Sequence, residues 1–178
     1  GAEAIRRAAM AGIRILLIDD EAQFVATMAK RLRKRDFSVL EADSGREGLR
    51  QLEVNPVDLV VLDVGMPDMD GIQVLREIKM HFPRVQVLML TGHADMEVAI
   101  SGMAMGAFDY LMKPVELNVL VGKIQAACSR NRKVGEGSGM VEAHLAAQYD
   151  DAEFVIHAEQ GGGKFAPILG GDGDLLAV

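Results

Sequence analysis

The chain is predicted to form an α/β domain, a doubly wound parallel sheet built from five βα units. Three observations in its 178 residues predict this. Five short apolar runs recur between residues 13 and 112, and each is followed by a segment with apolar residues at helical spacing. Inside the runs the hydrophobic residues are continuous, not alternating, which marks strands covered on both faces. Repeated βα units of this kind require right-handed crossovers in a parallel sheet.

The first strand is Ile13 to Ile18, and Phe24, Val25, Met28 and Leu32 after it recur at helical spacing. Asp36 leads into a short second strand, Phe37 to Leu40. Ser44-Gly45-Arg46-Glu47 has the spacing of a capping box, in which hydroxyl and carboxylate each satisfy an open backbone amide, so a second helix runs to about Val54. Pro56 punctuates before the third strand, Val57 to Leu62. Asp70-Gly71 then opens a helix with a core face of Ile72, Leu75 and Ile78 that ends near Phe82-Pro83. A fourth strand from Val85 to Leu90, a helix around Met96 to Met105, a fifth strand from Phe108 to Met112 and a helix through Leu117, Leu120, Val121 and Ile124 complete the series. Five strands are too few for an eight-stranded barrel. The open flavodoxin-like order 2-1-3-4-5 is therefore predicted, with its ligand crevice at the carboxyl ends of strands one and three.

Residues 13–133 supply this domain. Residues 1–12 form an Ala-rich extension to which no chemistry is assigned, and residues 134–178 form a Gly-rich tail, partly disordered or a small docking segment. Residues 1–133 carry 18 acidic and 18 basic side chains, so the net charge of −7 belongs to the tail, which has 8 acidic residues and only Lys164. A neutral body with an acidic tail argues against direct nucleic-acid binding, which needs a basic face. The run Lys30-Arg31-Leu32-Arg33-Lys34-Arg35 falls at a helix C-terminus, where cations favour the helix dipole. The lone Cys128 cannot form an internal disulfide, no segment resembles a secretory leader, and no apolar run approaches the roughly 20 residues that cross a bilayer. A cytoplasmic protein with no membrane contact is expected.

The chemistry lies where the runs stop. Strand one ends on Asp19-Asp20, strand three on Asp63, strand four on Thr91 and strand five on Lys113. In the predicted order these ends share one edge of the sheet. Converging carboxylates repel, so at neutral pH they hold protons or a cation. Their hard oxygens suit Mg²⁺, with Asp20 and Asp63 as direct ligands, Asp19 acting through water and the backbone carbonyl of Gly65 as a further ligand. Zn²⁺ lacks its usual ligands, since the four histidines are scattered and no Cys/His pair has metal spacing. A carboxylate at such a site can attack phosphorus, and Asp63 is the candidate nucleophile. Thr91 and Lys113 are suited to donate to the phosphoryl oxygens of the product.

Together, Ile18-Asp19-Asp20-Glu21, Asp63-Val64-Gly65-Met66-Pro67-Asp68-Met69-Asp70-Gly71, Thr91-Gly92-His93 and Tyr110-Leu111-Met112-Lys113-Pro114 resemble the receiver domain of two-component response regulators. Any one piece is weak, but four in order, each at a strand end, are specific. The resemblance covers residues 13–133. It implies that Asp63 accepts a phosphoryl group from a histidine kinase or phosphotransfer protein, that Asp19 and Asp20 hold Mg²⁺, that Lys113 contacts the phosphate, and that the Lys113-Pro114 bond is cis. It also implies a switch in which Thr91 moves toward the phosphate and Tyr110 turns inward. The surface of the fourth helix, fifth strand and fifth helix is altered as a result, and there Met96, Met103 and Met105 offer adaptable contacts to a downstream protein or a second copy. Thr91-Gly92-His93-Ala94-Asp95 and Gly106-Ala107-Phe108-Asp109-Tyr110 are most similar to receivers attached to σ54-dependent activators. Activity is expected to stop at self-phosphotransfer and loss of that phosphoryl group, which is not turnover catalysis.

Two rival functions stand beside this one. A haloacid dehalogenase-type phosphatase would also use an aspartyl nucleophile, yet that family wants a second Asp two residues on, where this chain has Gly65. A phosphate-independent binding module would act through the tail. There, Gly135 to Gly139 reads as a linker, Met140 to Tyr149 as a helix and Phe154 to Ala158 as a strand. Gly161-Gly162-Gly163-Lys164 lacks the upstream Gly and the Ser/Thr of a phosphate loop, and Asp172-Gly173-Asp174 is too short for a calcium loop. Docking on the receiver, pairing of protomers and partner binding all stay open for the tail.

Overall fold

The computed structural model describes residues 1–67 and 69–131. The chain divides into two units, Gly1–Lys133 and Val134–Val178, and every described residue belongs to the first. The predicted tail helix and strand lie outside the described residues. The elements are α1 (Ala2–Met10), β1 (Arg14–Ile18), α2 (Ala22–Arg33), β2 (Ser38–Ala42), α3 (Gly45–Val54), β3 (Leu59–Asp63), α4 (Gly71–His81), β4 (Gln86–Thr91), a single 3-10 turn (His93–Asp95), α5 (Met96–Ala104), β5 (Asp109–Met112) and α6 (residues 117–131). No helix among the described residues is long and apolar enough to cross a membrane.

All five strands are parallel, in the order β2-β1-β3-β4-β5. Continuity of the apolar runs has a direct cause. Successive side chains point to opposite faces, and both faces are covered. Ile15, Leu17, Leu59, Val61, Leu88 and Leu90 pack under α2 and α6 with Val25, Leu32, Leu120 and Ile124. Leu16, Ile18, Val60, Leu62, Val87 and Met89 pack under α3, α4 and α5 with Leu52, Leu75, Ile78 and Ala99. Each side chain so buried contributes roughly 1.5–3 kcal/mol, and this two-sided core fixes the strand ends that carry polar groups.

The boundaries differ from the sequence reading where local hydrogen bonds intervene. β3 starts at Leu59, not Val57, because Asp58 turns back to accept from both the backbone N–H and the guanidinium of Arg14, at 2.8 and 2.9 Å. Only half of the expected capping box forms. Ser44 accepts from the Glu47 N–H at 3.2 Å, whereas the Glu47 carboxylate is taken by Arg50 and Gln51. The basic run does lie at the end of α2, where Arg33 reaches the Val39 carbonyl and Glu41. Asp36 follows with a left-handed φ of 66°, a conformation that Asp tolerates better than bulkier residues.

Strand register levels the candidate residues. Ile18 pairs with Leu62, so Asp19 and Asp63 end their strands side by side. Asp63 pairs with Leu90 and Thr91 with Met112, one residue short of Lys113. Gly71 holds the loop after β3 close to α4, since a Cβ there would lie 2.6 Å from Cα of Val64.

Candidate phosphoacceptor site

At the carboxyl edge of the sheet, Asp19, Asp20 and Asp63 each place one carboxylate oxygen so that all three lie within 4.8 Å of one another. Asp19 and Asp63 are buried and Asp20 is exposed. This is the one group of three potential metal-ligating side chains among the described residues. Three like charges at this separation are unfavourable without a cation, and an all-carboxylate donor set fits a hard divalent ion of the Mg²⁺ or Ca²⁺ class. Backbone amides add the fixed dipoles: Glu21 N–H donates to Asp19 Oδ1 at 2.9 Å, and Gly65 N–H donates to Asp63 Oδ1 at 3.0 Å.

Lys113 reaches in from the end of β5, next to a cis bond to Pro114. Its ammonium donates to Asp19 Oδ2 at 2.6 Å and to Glu21 Oε1 at 2.9 Å, and stands 3.6 Å from Asp63 Oδ2. The Phe24 ring lies 4.8 Å from the same nitrogen, a cation–π distance. Burial works against the charged lysine. Its hydrogen bonds to Asp19 and Glu21, and the charges of Asp63 and Asp19, outweigh that and raise its pKa above the ordinary value. For Asp63 burial wins: its pKa is pushed up to about 6, with the Asp19 charge adding to the effect while the Gly65 N–H and Lys113 oppose it. A buried carboxylate with a raised pKa, next to an oriented ammonium, is a group held out of its ordinary state and available to a cation or an electrophile.

The structure therefore brings Asp19, Asp20, Asp63 and Lys113 together. Thr91, fully buried, ends the neighbouring strand and donates its hydroxyl to the Gly92 carbonyl at 2.9 Å. Lys113 N–H donates to the Thr91 carbonyl at 2.9 Å, which ties the two strand ends. Tyr110 is half-buried and packs against the core face shared by α3, α4 and α5. Three neighbours escaped the sequence reading. Glu21 and Phe24 were visible only as motif and helix-face residues. Asp95, from the 3-10 turn, brings its carboxylate against Gly65, where a Cβ would lie 2.8 Å from Asp95 Oδ2. Contacts between loops leave no periodic trace in sequence.

Residues 15–125 match the response regulator receiver domain family. The chain belongs to that family. As a receiver it is a component of two-component signalling, and phosphorelay is the process its site fits. It is 32% identical over 170 residues to the transcriptional regulatory protein ZraR of Escherichia coli K12, an alignment covering 85% of this chain and 38% of that protein. It is also 32% identical over 120 residues to the cell cycle response regulator CtrA of Brucella ovis, covering 67% and 52%. The chain thus spans well under two thirds of either relative. Among solved structures, a receiver domain protein from Clostridium thermocellum is 41% identical with a TM-score of 0.65, covering 68% of this chain and 98% of that one. NtrX from Brucella abortus, in complex with ATP, is 28% identical with a TM-score of 0.67, covering 71% and 29%.

Proposed function

We propose that Asp63 is the phosphoacceptor of this receiver and that a sensor histidine kinase or phosphotransfer protein is its donor. The observation that carries this reading is the Lys113 ammonium 3.6 Å from Asp63 Oδ2, beside the Asp19 and Asp20 carboxylates. Asp19, Asp20 and Asp63, with the Gly65 backbone carbonyl, would hold Mg²⁺, which when bound offsets charge on the transferring phosphoryl oxygens. An Asp63 carboxylate oxygen attacks phosphorus, an O–P bond forms, and the donor's bond to phosphorus breaks with its electron pair leaving on the donor. Lys113 then pairs with one phosphoryl oxygen and the Thr91 hydroxyl turns from the Gly92 carbonyl to donate to another. Tyr110 follows inward into the room that Thr91 vacates.

The output is read on the face of α5, β5 and α6, by a downstream protein or a second copy. Ile100 and Met103 on α5 and Val119 on α6 are exposed there, while Met96 and Met105 are half-buried, so Met103 is the methionine free to make contact. An ion pair between Lys123 and Asp109 ties α6 to β5 and keeps this face a unit. The chain acts in the cytoplasm as a switch whose activity ends with its own phosphoryl group, and the receiver portion makes no direct nucleic-acid contact. Gly65, where a haloacid dehalogenase-type phosphatase would carry a second Asp, weighs against that rival. Titration with beryllofluoride and Mg²⁺, followed by NMR, tests the reading: the resonances of Asp63, Thr91 and Tyr110 should move together. Unmoved resonances at saturating reagent would refute it and favour a phosphate-independent module.

A further inference from the structure

Five lysines lie among the described residues, and their surroundings are of three kinds. Lys113 and Lys123 sit in ion pairs, the first with Asp19 and Glu21 and the second with Asp109. Lys30 and Lys34 are exposed, in the last turn of α2 and just beyond it. Lys79, in the last turn of α4, is half-buried and has no carboxylate partner among the described residues. The acceptor it meets is the Val85 carbonyl at 3.3 Å, longer than an ordinary N–H···O bond. Glu77 lies two positions back, where helix geometry does not face it toward Lys79, and stands 3.2 Å from His81 Nε2. The lysine stem runs along the turn that joins α5 to β5, since a Cβ at Gly106 would lie 3.9 Å from Lys79 Cδ and Cε. Gly106 holds a φ of 102°, a left-handed value that favours glycine, so this wall is bare backbone. An ammonium so placed is desolvated and thinly compensated. The end of α4 favours a cation, yet burial outweighs it and lowers the Lys79 pKa below the ordinary lysine value.

We propose that Lys79 is a covalent modification site, acylated on its ε-nitrogen by acyl phosphates. The proposal goes beyond the phosphoacceptor reading and does not depend on it. An acyl phosphate has two electrophilic centres. A carboxylate beside a cation site takes the phosphorus, as Asp63 is placed to do, whereas a neutral amine takes the carbonyl carbon. Desolvation of a lysine in apolar surroundings is a general means of making its amine a nucleophile near neutral pH. The Lys79 ammonium gives one proton to water, and its nitrogen attacks the acyl carbon. An N–C bond forms, and the C–O bond breaks with its electron pair leaving on phosphate. A second proton passes from nitrogen to that phosphate. The product is a neutral amide whose remaining N–H still has the Val85 carbonyl to donate to. Acylation thus removes a desolvated charge and sets an acyl group against the turn between α5 and β5.

Acetyl phosphate on the full chain, with EDTA to withhold metal from the acidic site, tests this through peptide mass mapping of the acetyl group at each lysine over time. Lys79 should gain acetyl at an initial rate about threefold or more above those of Lys30 and Lys34. In urea that unfolds the chain the burial is gone, and the Lys79 rate should fall to within about twofold of the other two. A smaller excess at Lys79 in the folded chain would overturn the proposal. So would an excess that persists undiminished in urea, because it would assign the reactivity to local sequence and not to burial. Failure of Asp63 to take up a phosphoryl group when Mg²⁺ is supplied would overturn the phosphoacceptor reading and leave the Lys79 result standing, so the two fail separately.

Discussion

The two ends of the sheet use the same residue type to opposite effect. At the amino end, Asp58 accepts from the backbone and guanidinium of Arg14 at 2.8 and 2.9 Å, and the Arg14 carbonyl accepts from the Asp58 N–H at 2.9 Å. At the carboxyl end, five residues later, Asp63 is buried among two further carboxylates with the nearest ammonium at 3.6 Å and already engaged by Asp19 and Glu21. The first arrangement is closed and closes β1 onto β3. The second is electrostatically incomplete, and burial, with the Asp19 charge adding to it, raises the Asp63 pKa there. A carboxylate left short of partners inside a fold costs stability and gains something to bind.

Substitutions can break the contrast, and the largest effect belongs to the backbone that frames the acidic end. Gly71→Ala drives a methyl against the Val64 backbone at 2.6 Å and should cost about 1–3 kcal/mol, read as a lower urea midpoint, with the loop between Asp63 and Gly65 displaced. Next is Asp63→Asn, which should raise the stability of the metal-free protein at pH 8 by roughly 1–2 kcal/mol, because it removes a buried like charge. The sign follows from the raised pKa. Between the ordinary carboxylate value and about 6 the native state takes up a proton that the unfolded chain does not, so wild-type stability from this group falls as pH rises through that window. The gain from Asp63→Asn should therefore shrink as pH falls below about 6 and vanish only below the ordinary carboxylate value of 3.8. Saturating Mg²⁺ at pH 8 should raise the melting temperature of wild type more than that of Asp63→Asn, and its apparent affinity should weaken by up to about tenfold per pH unit below 6. Asp58→Asn should have the smallest effect. It should lower stability by no more than about 1 kcal/mol, since the pair is 45% and 35% exposed, and should leave beryllofluoride binding unchanged.

The sequence revealed most of the site because the core is two-sided. Strands covered on both faces read as unbroken apolar runs, so the first polar residue after each, Asp19, Asp63, Thr91 or Lys113, stands out and falls at one edge of the sheet. Helix starts were readable where one residue carries the cap, as at Ser44 and Asp70. What stayed hidden depends on contacts across the fold. Glu21 meets Lys113 from 92 residues away, and Asp95 meets Gly65 between two loops. Glu47 had two competing partners within four residues, Arg50 and Gln51, and local spacing could not say that they would win over the Ser44 amide. The extension at residues 1–12 carried no periodic signal that assigned it structure, though Ala2–Met10 is helical, as its alanines favour.

The intact mass of the chain after incubation with acetyl phosphate and Mg²⁺, measured for wild type, Asp58→Asn and Asp63→Asn, tests the contrast between the two ends most directly. One added phosphoryl group on wild type and on Asp58→Asn, and none on Asp63→Asn, is the predicted result. A phosphoryl group retained by Asp63→Asn, or none on wild type, would contradict the account.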